Sequence, residues 1–212
     1  MPIEPAIVAE ARRCFDEARG SHDWSHTERV LALCEHIGAH EEADMDVLRL
    51  AAVLHDIGRK DEDDAAGGIC HAERGAERAR LILEEHDVAP DMVDSVVHCI
   101  EAHRFRNDRE PETLEAQILF DADKLDSIGA VGVGRAFLFA GEVGAVLHNP
   151  EKDVAETEAY SREDSAYREY MVKLKHVQDR ILTSEGKRMA AERHDYMVAF
   201  FERLDREAQG EV

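Results

Sequence analysis

The sequence predicts an all-α fold, and three observations carry that prediction. Apolar residues recur three and four positions apart along almost the whole chain, the period of a helix with one buried face. Strand-like alternation is hard to find. Residues 48–57 are apolar on nearly every side, as a central helix packed among others must be. A chain of 212 residues with 44% hydrophobic content buries one sizeable core and is slightly small for two independent domains of ordinary size. A single domain over residues 1–212 is therefore expected.

Each element follows from its own stripe. Ile7, Ala11, Cys14, Phe15 and Ala18 form the first, and Val30, Leu33, Cys34 and Ile37 the second. Ser25 followed by Glu28 is a capping-box pattern; it starts the second helix at His26 and puts that histidine one turn before Val30, on the inward face. The stretch from Leu48 to Ile57 is the central helix, with Gly58 as its terminator. Ala72, Ala76, Ala79 and Leu83 give one further helix, Val93, Val96, Val97 and Ile100 another, and Leu114, Ile118, Ala122 and Leu125 a third. Residues 141–164 lack a strong period and contain Asn149-Pro150, so an irregular loop or short irregular helices are expected there. Tyr167, Tyr170, Met171, Leu174, Val177 and Ile181 predict a long amphipathic helix. Met189, Arg193, Met197, Phe200 and Leu204 predict another after Gly186, so that residues 165–212 are C-terminal helices packing on the core.

Composition narrows the partners. The formal charge is −21, so the far field repels DNA, RNA and anionic lipid, whose recognition rests on clustered Lys and Arg. A small anion such as a nucleotide still binds if local cations or a metal overcome that repulsion within about one Debye length, ~8 Å at physiological salt. The four cysteines show no C-x-x-C spacing, and Cys14, Cys34 and Cys99 sit among helix-patterned apolar residues, as buried thiols in a reducing compartment would. The first ten residues lack a basic stretch followed by an apolar run, and no 18-residue apolar segment occurs. A cytoplasmic location, away from membranes, is expected.

The chemistry concentrates in histidines and aspartates. His55 and Asp56 fall at the end of the all-round apolar helix, where an isolated carboxylate costs several kcal/mol to desolvate unless paired or metal-bound. A lone histidine on an apolar face is more often hydrogen-bonded core than ligand. An adjacent His-Asp pair at a buried helix end, an inward His26 one helix earlier and an acid-rich Asp121-Ala122-Asp123 together favour a metal. Periodicity does not choose between Asp121, Asp123 and Asp126.

These motifs resemble the HD-domain superfamily of metal-dependent phosphohydrolases. The resemblance rests on His22-Asp23-x-x-His26-x-x-Arg29-Val30, on Leu54-His55-Asp56-Ile57-Gly58-Arg59-Lys60, and on Asp121-Ala122-Asp123-Lys124-Leu125-Asp126. It implies a single-domain helical bundle whose core, residues 21–135, holds a divalent cation through His26, His55, Asp56 and Asp123. The last assignment follows the family's Ala-Asp-x-Leu pattern. The tail around Thr183 to Lys187 resembles a branch of small stand-alone HD hydrolases. In the related HD-GYP phosphodiesterases histidines of corresponding helices bind a second metal. His71-x-x-x-Gly75 resembles one such position, although Arg104-Phe-Arg-Asn107 stands where the GYP triplet would follow His103.

Two imidazoles and two carboxylates leave open positions on a six-coordinate ion, so that a water and a phosphate oxygen bind side by side and the acidified water attacks the phosphoryl group. Mn²⁺ is expected first, with Fe²⁺, Co²⁺, Mg²⁺ and Zn²⁺ as alternatives; no thiolate cluster closes a structural zinc site. Arg59 and Lys60 directly follow the metal-binding helix and are candidates for the substrate's remaining charge. His103 continues the stripe of Val96 and Ile100, so His71 and His103 are expected to contact phosphate or to act in acid catalysis, with a second metal as the alternative. Asp23 is placed behind a ligand histidine. Arg104, Lys124 and Arg135 are lesser candidates. Gly129, Gly132 and Gly134 meet neither dinucleotide nor Walker spacing and are read as close packing or a bend.

The expected activity is hydrolysis of a small phosphorylated metabolite, a nucleotide above all, at a phosphomonoester or pyrophosphate bond. The alternatives are a non-catalytic sensor that binds a nucleotide in the same pocket, and a helical interaction protein with a structural metal or none; separately, the C-terminal helices could pair subunits into a homo-oligomer.

Overall fold

The computed structural model describes residues 3–15, 23–65, 68–104 and 109–212. Ala18, His22 and residues 105–107, which entered the sequence reading, lie outside them. The fold is all-α, with no strand among the described residues. The chain forms two compact units, one of Met1–Asp123 with Leu182–Glu185, the other of Lys124–Ile181 with Gly186–Val212.

The first unit holds α1 (Pro5–Arg13), α2 (Trp24–Glu41), α3 (Met45–Leu54), α4 (Arg59–Asp64), α5 (His71–Glu85), α6 (Pro90–Ala102) and most of α7 (Leu114–Leu125). Pro5 and Pro90 stand in the first turns of α1 and α6, where the missing N–H costs nothing. α3 is the centre, with Val47, Leu48, Ala51, Ala52, Val53 and Leu54 all buried, and it packs against α1, α2, α5 and α6. Its start is well specified: Asp44 accepts from the N–H groups of Asp46 at 2.9 Å and Val47 at 3.2 Å.

Two local expectations are corrected. α2 begins at Trp24, and its cap is Asp23, whose carboxylate accepts from the His26 N–H at 3.2 Å. A carboxylate is a stronger acceptor than a hydroxyl, so Ser25 turns inside the first turn and donates to Asp23 at 2.6 Å. Glu28, the other half of the expected box, instead accepts from the Trp24 indole at 2.8 Å. The central helix ends at Leu54, and residues 55–58 form a turn that leads into α4. Gly58 keeps an ordinary φ of −89°, so it is not a left-handed terminator. A Cβ there would lie 2.4 Å from the His71 carbonyl and 2.6 Å from the Gly75 nitrogen, so glycine is required by close approach to α5.

The second unit contains α8 (Gly129–Glu142), a 3-10 turn at Val154–Glu156, α9 (Ala166–Val172), a 3-10 segment at Leu174–Arg180 and nearly all of α10 (Ser184–Ala208). Between α8 and α9 the chain is largely irregular, as its aperiodic sequence predicts. The long helix expected over residues 167–181 is broken, because Lys173 leaves the helical region at φ −136°, ψ −59°. The buried residues beyond it, Leu174 and Val177, are three apart, a spacing that 3-10 winding satisfies as well as α. α10 starts two residues before Gly186 and buries Gly186, Ala190, Met197 and Phe201, whereas the expected stripe contained Met189, Phe200 and Leu204. Two of these four, Gly186 and Ala190, are small, and a search for bulky side chains misses them. Gly129, with φ 74°, enters α8, and at Gly132 a Cβ would sit 2.2 Å from the Ser127 carbonyl, so these glycines serve a bend and close packing.

Cys34 and Cys99 are buried free thiols, and burial pushes Cys99 up to about 12. Among the described residues no helix is long and apolar enough to cross a membrane.

Candidate metal centre

Four helix ends of the first unit bring side chains to one buried place. His26 lies in the first turn of α2, His55 and Asp56 follow α3, His71 opens α5 and His103 closes α6. All five are at most 2% exposed. Asp56 sits between two histidine pairs. Its Oδ2 is 3.7 Å from His26 Nε2 and 3.9 Å from His55 Nε2, and its Oδ1 is 3.2 Å from His71 Nε2 and 3.8 Å from His103 Nε2. Asp123, on α7, closes the first pair with Oδ1 3.4 Å from His26 Nε2.

Anchoring fixes which nitrogens face inward. His55 Nδ1 lies 2.8 Å from the Ala52 carbonyl and His103 Nδ1 2.6 Å from the Ile100 carbonyl. A carbonyl only accepts, so each Nδ1 carries the proton and each Nε2 keeps its lone pair. His71 Nδ1 meets the Glu62 carboxylate at 2.5 Å with the same result. The Nε2 atoms of His71 and His103 then point lone pairs at each other across 3.2 Å. Two acceptors at that separation repel unless a cation lies beside both, and imidazoles whose far nitrogens are anchored this way are the usual metal ligands. Burial keeps these rings neutral: it takes His71 down to about 4 and His103 to about 3, and it lowers His55 as well, against the pull of Asp56.

The donor atoms form two groups, His26 with His55 and Asp123, and Asp56 with His71 and His103, each with its atoms within 4.8 Å of one another. Imidazole and carboxylate donors without thiolate fit a divalent first-row cation. Asp56, Asp123 and Glu62 outnumber the guanidiniums of Arg59 and Arg104 by one, and that residual negative charge also suits one.

α7 separates three aspartates that look alike in sequence. Asp121 is fully buried and accepts from Leu182 N at 2.8 Å, Thr183 N at 2.8 Å and Thr183 Oγ1 at 2.6 Å, so its lone pairs serve the fold. Asp126 pairs with Arg135 at 2.6 Å within the second unit. Asp123 is the one beside His26.

The candidate cations also divide. Arg59 lies against Asp56 at 3.3 Å and Glu62 at 3.1 Å, and its buried Nε has no hydrogen-bond partner among the described residues. Arg104 is bonded to Glu62. Lys60 is about half exposed, and its Nζ lies 3.2 Å from Asp64. Arg135 is held by Asp126, and Lys124 begins the second unit. Asp23 touches the backbone N–H of His26, fixing the start of the helix that carries it.

Glu62 is the residue the sequence reading missed. One carboxylate holds His71, Arg59 and Arg104 together; burial pushes its pKa up, but the bonds to Arg104 and His71 outweigh that and hold it below the usual glutamate range. It lies in the run Asp61 to Asp64, which reads as a solvated acidic face; its offset of three from Arg59 was the available signal. A hollow of about 560 Å³ lined by Asp61, Asp64, Glu73 and Glu77 among others is a poor phosphate site, since its carboxylates repel anions.

Comparison with known proteins identifies the family. The model of the HD domain matches residues 23–128. Bacillus subtilis (strain 168) YpgQ is 33% identical over 206 residues, covering 92% of this chain and 88% of its own. The crystal structure of YpgQ in complex with ADP superposes with TM-score 0.75 at 28% identity, over 95% of this chain and 93% of that one. A predicted HD superfamily hydrolase from an uncultured Thermotogales bacterium gives TM-score 0.68 at 30% identity, over 95% and 91%. Ribonuclease Y of Chloroflexus aurantiacus is 32% identical over 106 residues, but these make up 50% of this chain and only 18% of that enzyme. A domain model that spans the buried histidines and aspartates, and a relative aligned along nearly the whole length, place this chain in the HD-domain family of metal-dependent hydrolases.

Proposed function

We propose that the chain is a phosphohydrolase acting on a small phosphorylated metabolite, a nucleotide, and that its metal is held by His26, His55, Asp56 and Asp123. The observation that carries this reading is Arg59: a guanidinium beside the central carboxylate, with a buried Nε that has no acceptor among the described residues, is a ready donor to a phosphate oxygen. The ADP held by the related YpgQ supports a nucleotide. When bound, the divalent cation, Mn²⁺ first among the candidates, supplies Lewis acidity to a phosphoryl oxygen and to the attacking water.

The protein's own groups bind and orient. Glu62 keeps Arg59 and Arg104 beside the centre, so their charge is in place before substrate arrives and little is spent on reorganisation. The bonds to Ala52, Ile100 and Glu62 hold three imidazoles in one tautomer. His71 and His103 lie as near Asp56 as His26 and His55 do, which favours reading them as ligands of a second cation over the phosphate contacts expected from sequence.

Phosphate and pyrophosphate release with Mn²⁺, measured across a nucleotide panel for wild type and Asp56→Ala, tests the reading. Turnover confined to wild type is expected, and equal behaviour of the two would end it. Tight nucleotide binding by calorimetry with no product would instead favour the sensor. Metal content by elemental analysis distinguishes one cation from two.

A further inference from the structure

Away from the buried centre, His36 and His40 stand one turn apart on the exposed side of α2, their ring centroids 4.5 Å from each other. The carboxylate of Glu185, in the first turn of α10, meets His36 Nε2 at 2.7 Å. His40 Nδ1 lies 2.7 Å from the His36 carbonyl, so that nitrogen bears the proton and Nε2 keeps a lone pair for a ligand. Glu185 is itself positioned, because its backbone N–H donates to Glu41 Oε1 at 2.7 Å. One donor atom from each of His36, His40 and Glu185 lies within 4.8 Å of the others.

We propose that His36, His40 and Glu185 form a solvent-facing site for a late first-row divalent cation, zinc in particular, separate from the buried centre. Two histidines at i and i+4 plus a carboxylate from another element are a three-ligand set for zinc, nickel or copper, whose affinity for imidazole exceeds that of manganese. Side-chain exposure of 43% at His36 leaves room for water on the remaining coordination positions. A chain of net charge −21 concentrates cations at its surface. The ion would tie α2 to the Leu182–Glu185 segment, the segment whose Leu182 and Thr183 grip Asp121. Without metal, the His36–Glu185 contact is an ordinary surface hydrogen bond.

The test is equilibrium dialysis of the whole protein against zinc, comparing wild type with His40→Ala and Glu185→Gln. Wild type is expected to retain one more zinc equivalent than either variant, while Mn²⁺-supported phosphate release is unchanged in His40→Ala. Asp56→Ala, which disturbs only the buried centre, is expected to keep that equivalent. Equal zinc content in wild type and His40→Ala would overturn the proposal, as would its loss in Asp56→Ala.

Discussion

α2 carries histidines in two settings. His26, in its first turn, is fully buried beside Asp56 and Asp123, whereas His36 and His40, towards its other end, face solvent beside Glu185. The donor types are alike, and what differs is preparation. In the buried cluster three partner rings are locked by acceptors at Nδ1 and kept neutral by desolvation, so ligands are aimed before any ion arrives. At the surface only one ring is locked, and water competes for every donor. A deep site thus gains reactivity from enclosure, and a shallow one gains only affinity.

Asp56→Ala attacks the contrast at its strongest point, because the Asp56 carboxylate lies against both buried pairs. Loss of about 10³-fold or more in kcat/KM is expected, the equivalent of several kcal/mol of charge stabilisation. Steady-state kinetics on an active nucleotide would measure it. Glu62→Gln should cost about 10–100-fold, with weaker metal retention in equilibrium dialysis, since the amide grips His71 less firmly. Arg59→Lys should raise KM about tenfold while changing kcat less, because an ammonium cannot match a guanidinium fork.

A smaller effect concerns acid. His71 and His103 titrate lower in the folded chain than the ordinary 6.5, so below that pH the unfolded chain binds protons that the folded one refuses. Stability of the chelator-treated protein should therefore be complete above about pH 6.5. It should decline as pH falls towards 4 and 3, by about 1 kcal/mol per unit for each ring. Urea melts between pH 7 and 5 would show it, and a flat profile would mean that the rings are not desolvated as described.

Much of this centre was legible in the sequence through helix phase. The inward placement of His26 and His103 and the burial of His55 and Asp56 follow from the stripes around Val30, Ile100 and Leu48. Asp123 was not separable by phase, because what distinguishes it from Asp121 is a partner about sixty residues away, Thr183. Glu62 was hidden among acidic neighbours, since only the fold reveals that His71, nine residues on, turns back to it. The break at Lys173 and the role of Gly58 were equally invisible: one depends on tertiary burial, the other on how closely α5 approaches.

The grip of Thr183 on Asp121 also has a consequence for biosynthesis. The unit that holds the candidate metal centre is complete only when Leu182–Glu185 has been added, yet Asp121 is translated 62 residues before Thr183. At about 5–20 residues per second, the ribosome takes roughly 3–12 s to supply the missing donors. Until then a carboxylate destined for full burial lacks the three hydrogen bonds that Leu182 and Thr183 donate to it. A nascent chain stopped before Leu182 should hold metal poorly even though every proposed ligand is already made.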